Sequence, residues 1–170
     1  GGRLGKSNFA TDLLFSKDSK IIDNRSNELY ELNLKRKKIE TQILKNIDFK
    51  KLQKEKNSVI IYYDPNIHEG LIGIIASKLK EFFNKPSLVI TDSNNFIKGS
   101  ARSIENFNIG KIIRNALDQN IILSGGGHNM AAGFTLKKNN LTHFKKFIQK
   151  KYSKNKFLIK NTLRYDAEVS

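Results

Sequence analysis

Residues 58–91, SVIIYYDPNIHEGLIGIIASKLKEFFNKPSLVIT, decide the fold class. The stretch opens on SVIIYY, 58–63, a short run of β-branched and aromatic side chains that reads as a buried strand. Asp64-Pro65-Asn66 turns the chain, because proline presets φ while aspartate and asparagine bond their own backbone. GLIGIIASKLKEFF, 70–83, then reads as a helix whose N-terminal half is apolar all round, as a covered helix must be. SLVIT, 87–91, follows Pro86 as a second strand. Strand, helix and strand in succession is the pattern of an α/β layer structure.

The flanking sequence continues that alternation. DSNN at 92–95 is a turn, and FIKGSARS at 96–103 is a third strand or extended segment. NIGKIIRNALDQ, 108–119, is helical, with Ile109, Ile112, Ile113 and Ala116 on one side. AAGFTL, 131–136, is a strand, and LTHFKKFIQKKY, 141–152, is an amphipathic helix with Leu141, Phe144, Phe147 and Ile148 inward. The expected fold is therefore α/β, a mixed sheet sandwiched by helices. Upstream, Leu29, Leu32, Ile39, Ile43 and Ile47 recur at helical spacing, with no Pro or Gly to interrupt them. This predicts a long helix from Ser26 to about Ile47, either a connector between two bodies or an ordinary packed helix. GGRLGKSNFA at 1–10 reads as a loop, and 154–170 alternates like the first strands of another, β-rich domain.

Composition narrows the function. The 170 residues carry 31 Lys and Arg against 16 Asp and Glu, a formal charge of +15. Codon drift in an AT-rich genome raises lysine, but it raises glutamate too, so a basic bias remains that suits a polyanion such as nucleic acid. There is no cysteine, which excludes disulfides and cysteine-ligated zinc and fits a reducing cytoplasm. No apolar run approaches the length of a membrane span, so no membrane partner is expected. A chain that opens at Gly1 and holds its one methionine at position 130 reads as a piece of a longer product.

Three places carry candidate chemistry. In LSGGGHNMAAGF, 123–134, glycines let backbone N–H groups converge on an anion, with His128 as a further donor. A glycine-rich turn with a surface histidine fits the same residues, whereas a metal site lacks a second ligand at suitable spacing. In KGSARS, 98–103, Ser100 and Arg102 are two apart and so point to the same face of a strand, a hydroxyl beside a guanidinium that suits a phosphate. An edge strand with ordinary polar residues is the competing reading. In His68-Glu69-Gly70, an acid/base pair competes with Glu69 capping the helix N-terminus, and the capping reading is preferred.

HEGLIGIIASKLKEFFNKPSLVI, then IKGSARS, then GGGHNMAAGF, in this order and spacing, resembles the DHH-associated domain of RecJ-type exonucleases in the DHH phosphoesterase superfamily. The resemblance implies that 1–25 is the tail of a DHH phosphoesterase domain, 26–50 the connecting helix, 51–153 the DHH-associated substrate-binding domain, and 154–170 the start of an OB-fold. It also implies a 5′-to-3′ exonuclease on single-stranded DNA, in recombination and repair, with single-strand-binding protein or helicase partners. Two Mn2+ or Mg2+ ions would do the hydrolysis, bound by DHH-domain aspartates and histidines. No DHH triplet occurs here, so no catalytic or metal residue is assigned and no cofactor is expected in this chain. Ser100, Arg102 and Arg3 match the positions that bind the 5′ phosphate, and Gly126, Gly127 and His128 match the motif that contacts the nucleotide. Lysines at 137–160 would add sequence-independent attraction. A non-catalytic nucleic-acid-binding module is one alternative. An oligoribonuclease or cyclic-dinucleotide phosphodiesterase of the same superfamily is another.

Overall fold

The computed structural model describes residues 3–4, 8–54 and 58–155. The expected OB-fold entry lies almost wholly outside them. The chain begins with two helices, α1 (Asn8–Phe15) and the long α2 (Ser19–Asn46), then a short α3 (Phe49–Lys54). Next come β1 (Ile60–Tyr63), α4 (Ile72–Phe83), β2 (Ser87–Ser93), β3 (Phe96–Arg102), α5 (Ile109–Asp118), β4 (Ser124–Gly127), β5 (Ala131–Leu136) and α6 (Leu141–Asn155).

The five strands form one mixed sheet in the order β1-β2-β3-β5-β4. β1 and β2 are parallel and joined through α4; the other neighbours are antiparallel. Each face carries its own core. Leu88, Ile90, Ile97, Ala101, Ala132 and Phe134 turn to one side and pack with Ile113 of α5 and Phe144 and Ile148 of α6. Ile60 and Val89 turn to the other and pack with Leu71, Ile75 and Leu79 at α4. Ile39, Ile43 and Leu44 of α2 close that second core from outside. β2 is thus buried on both faces, which is why Leu88, Val89 and Ile90 run unbroken between Ser87 and Thr91. Thr91 solves its own burial by donating from Oγ1 to the Ile67 carbonyl at 2.6 Å.

Helix boundaries differ from the sequence reading at the N-terminal end. Residues 8–10, expected as loop, already belong to α1. α2 starts seven residues before Ser26, because Asp18 caps it by accepting from the Lys20 N–H at 2.9 Å. It ends at Asn46, within a residue of the expected end, and Asp48 starts α3 by accepting from the Lys51 N–H at 2.9 Å. α3 folds back on the end of α4, where the Phe49 and Phe82 rings lie 4.6 Å apart. At 28 residues α2 is about 42 Å long, more than the sheet beneath it needs. No described helix is long and apolar enough to cross a membrane.

Candidate functional site

Along β3 burial alternates: Ile97, Gly99 and Ala101 are buried, while Lys98, Ser100 and Arg102 are half-exposed on the α4 side of the sheet. The Arg102 guanidinium bends back along its own strand, donating from Nη1 to Ser100 Oγ at 3.1 Å and to the Ala101 carbonyl at 2.9 Å. Both groups tuck beneath the first turn of α4. A Cβ on Gly73 would stand 3.0 Å from Arg102 Nη2 and 3.2 Å from Ser100 Oγ, so any larger residue would crowd both. The α4 N-terminus itself, at Leu71, has no side-chain cap. Its positive dipole end therefore adds to the field around Arg102.

Arg3 completes the group. Its backbone lies so close to Gly70 that a Cβ there would overlap the Arg3 carbonyl oxygen, and its Nη1 donates to the Gly70 carbonyl at 3.4 Å. Burial lowers the Arg102 pKa, and repulsion from Arg3 lowers it further. No carboxylate forms an ion pair with either arginine among the described residues. Two guanidiniums near enough to repel each other, neither ion-paired to a carboxylate among the described residues and one of them partly desolvated, suit an anion. Beside them an open groove of ≈ 400 Å³ runs between Arg3, His68, Gly70, Lys98 and Gly133. A roomier cavity, ≈ 800 Å³, lies between α1 and α2 at Phe15, Ile21 and Arg25, away from this chemistry.

Glu69 does not cap α4. Its carboxylate turns to the sheet, accepting from Lys98 Nζ at 2.7 Å and Ser93 Oγ at 3.0 Å, and these bonds lower its pKa. A charged lysine on the facing strand outcompetes the helix dipole for it. His68 Nδ1 accepts from the Gly70 N–H at 3.1 Å, bracing the turn that meets Arg3.

The glycine stretch is neither a nest nor a simple turn. Ser124–Gly127 forms the edge strand β4, and no described glycine has a positive φ. The reason for glycine here is close approach. A Cβ on Gly125 would lie 2.8 Å from Ile113 Cγ2, and one on Gly127 would lie 2.5 Å from Ala132 Cα. These two turn toward α5 and the first core. Gly126 turns the other way, where a Cβ meets nothing within 4 Å. Pairing aligns Ser100 with Gly133 and Gly133 with Gly126, so Gly126 shares the row of Ser100, about 10 Å across two strand spacings. His128 is exposed just past β4. Its loop is pinned: Gly110 N–H donates to the His128 carbonyl at 3.1 Å, and Ser103 N–H to the Met130 carbonyl at 2.8 Å. The geometry thus joins Ser100 to Arg102, holds Arg3 at the Gly70 turn close enough to repel Arg102, sets Gly126 further along the same face, and leaves Gly127 in a packing position.

The described residues offer no donor set for a divalent ion. No three His, Asp or Glu side chains converge among them, and the groove carboxylate, Glu69, is held by Lys98. The described lysines of α6 sit behind the sheet, because that helix packs on the core opposite Arg102.

A family model for the DHHA1 domain matches residues 56–154, which span the whole sheet with α4, α5 and most of α6. The chain belongs to the DHHA1 domain family. The chain is 32% identical over 153 residues to the single-stranded-DNA-specific exonuclease RecJ of Haemophilus influenzae, covering 84% of the chain and 26% of that protein. It is 34% identical over 139 residues to RecJ of Bacillus subtilis, covering 80% and 17%. The chain spans about a quarter or less of these relatives. Among solved structures, RecJ of Thermus thermophilus in complex with Mg2+ superposes with a TM-score of 0.75 at 28% identity, over 89% of this chain and 23% of that one. An exonuclease RecJ bound to manganese gives 0.73 at 27% identity, covering 89% and 37%. The five-stranded mixed sheet flanked by helices is thus the RecJ DHHA1 architecture.

The sequence reading missed Gly73 and Gly70, which open the pocket from the α4 side. A glycine in the first turn of an apolar helix is a costly choice of residue, and that was the available signal.

Proposed function

We propose that this chain is the substrate-holding part of a 5′-to-3′ single-stranded-DNA exonuclease acting in recombination and repair. Arg102, Ser100 and Arg3 take the terminal 5′ phosphate, and the face that runs toward Gly126 and His128 takes the nucleotide behind it. The observation that carries this reading is the Arg102–Arg3 pair, anchored, partly buried and without an ion-paired carboxylate among the described residues. Two guanidiniums and a hydroxyl match the three free oxygens of a terminal phosphate monoester, whereas an internal phosphodiester offers two. That difference in charge and oxygen count favours an end over a continuous strand.

Residues 1–25 and 154–170 belong, on this reading, to a preceding DHH phosphoesterase domain and a following OB-fold, with 26–50 connecting and 51–153 binding. Mn2+ or Mg2+ held by the DHH aspartates and histidines supplies the hydrolysis, and the chain alone binds without cutting. Relatives named as single-stranded-DNA exonucleases support that substrate class. A cytoplasmic setting and helicase or single-strand-binding partners, which present free ends, fit the same role.

The test is a fluorescence-anisotropy titration of the 170-residue chain with strands of about 12 nucleotides bearing a 5′ phosphate or a 5′ hydroxyl. The phosphorylated strand is expected to bind roughly tenfold or more tightly, the worth of one charge-assisted hydrogen bond. Arg102→Ala is expected to erase the difference. Equal affinity for both strands in the wild type rejects the reading.

A further inference from the structure

The corner where α3 meets the end of α4 presents aromatic rings among lysines. Phe83 packs on the second core, but its neighbour Phe82 stays 63% exposed, the most open of the described large apolar side chains from residue 58 onward. Its ring is nevertheless held. The Phe49 ring lies tilted against it at 4.6 Å, and the Phe83 ring stands nearly perpendicular to it at 4.9 Å. The cluster therefore fixes Phe82 without covering it. Residues 45–54 and 78–85 carry seven lysines against two carboxylates, Asp48 and Glu81. Glu81 is paired to Lys78 at 3.5 Å, and Asp48 accepts from the Lys51 N–H at the start of α3. Lys45, Lys50, Lys51 and Lys54 form no ion pair among the described residues.

A fixed, open ring beside uncompensated positive charge suits a strand whose bases stack while its phosphates meet ammonium groups. An acidic peptide would need a recess for its apolar anchor, whereas Phe82 offers an exposed plane. The corner is also separate from the arginine pocket. Gly73, which adjoins that pocket, sits in the first turn of α4, and Phe82 is nine residues further on, about 14 Å along the helix. We infer that Phe82, braced by Phe49 and with the lysines of α3 beside it, is a second contact surface for single-stranded nucleic acid, one that stacks a base and reads neither an end nor a sequence. The inference rests on the substrate class proposed above and is independent of the arginine pocket.

The 170-residue chain has no tryptophan, so Phe82→Trp places a single fluorescent reporter at the surface without giving up the ring. The variant is titrated with a thymidine strand of about 12 nucleotides bearing a 5′ hydroxyl. Its emission is expected to fall as a base stacks on the indole, and to recover in high salt as the lysine contacts are screened. Poly-glutamate is expected to leave the emission unchanged. Phe82→Leu keeps an apolar contact with Phe49 but loses the stacking plane. It is expected to melt near the wild-type temperature and to bind the same strand about tenfold more weakly, the worth of one stacked base. Its preference for a 5′ phosphate, taken as a ratio of affinities, is expected to match the wild type. Emission indifferent to the strand overturns the inference, and so does wild-type affinity in Phe82→Leu. A response to poly-glutamate and none to the strand overturns it as well, and assigns the surface to an acidic protein. Should Phe82→Leu melt early, the Phe82→Trp titration decides alone. A preference for the 5′ phosphate in a chain whose emission ignores the strand leaves the proposed function standing; a wild type that binds neither strand overturns both.

Discussion

Arg102 is held by neutral partners, a hydroxyl and its own strand's carbonyl, and by the space Gly73 leaves. Its charge is therefore free for a ligand, and small changes around it become readable. Gly73→Ala puts a methyl 3.0 Å from Nη2, so it is expected to reduce the preference for a 5′ phosphate. Global stability should change by less than about 1 kcal/mol, since alanine favours the helix while the guanidinium shifts aside. Urea unfolding and the strand titration together check this. Arg102→Lys is expected to recover little, because an ammonium cannot reproduce the two-pronged contact. The Ser100–Arg102 pairing was legible in the sequence, since the period of two along a strand needs no tertiary knowledge. Gly73 was not, because what it makes room for arrives from another element. The left-handed positions were equally hidden: Asn84, Asn94, Asn106 and Asn120 occupy them, and glycine is reserved for close approach.

β4 shows how one element can be misjudged when its neighbours are unknown. SGGG has low strand propensity, and its strand character comes from pairing with β5 on one side and the packing of α5. Gly127→Ala is accordingly expected to destabilise by about 2 kcal/mol or more, through backbone overlap at Ala132, in contrast to its neighbour Gly126. Chemical denaturation of the two variants side by side tests the contrast. The α4 entry was misjudged for a related reason. Glu69 is close to the helix start in sequence, but Lys98 and Ser93 reach it across the sheet. Its folded pKa is below the ordinary 4.5, so its stabilisation is present above that value and is lost as pH falls through the folded pKa. Glu69→Gln is expected to flatten the acid limb of a stability-against-pH curve and leave neutral pH nearly unchanged, given the exposure of the pair. The apolar elements β2, α4 and α5 were legible because their patterns are set by burial alone.

At the scale of the molecule the two faces of the sheet do different work. One is sealed by α5 and α6; the other is shared between α4 and the groove. Lysines lie on both sides, Lys98 on the groove face and those of α6 behind the sheet, so attraction for a polyanion and recognition of its end are separable. Replacing Lys145, Lys146 and Lys150 by glutamine is expected to weaken phosphorylated and unphosphorylated strands alike, with the ratio between them preserved. Arg102→Ala instead should flatten the log–log salt dependence by roughly 0.7, the loss of one single-strand phosphate contact. The α/β class and layer order were legible from the strand–helix alternation. Which layer faces the ligand was not, because α6 carries its lysines on the sealed side. One tie between layers has a wider consequence. The Gln149 amide of α6 both donates to and accepts from the backbone of Val59, at 2.7 and 3.1 Å, just ahead of β1. Gln149→Leu leaves both main-chain groups unmet and is expected to cost about 1–3 kcal/mol. β1 is also an outer strand of the sheet, and the amide occupies there the hydrogen-bonding positions that an incoming chain would use. That side chain is thus a guard against self-association, and light scattering on concentrated Gln149→Leu protein should register aggregation that the wild type resists.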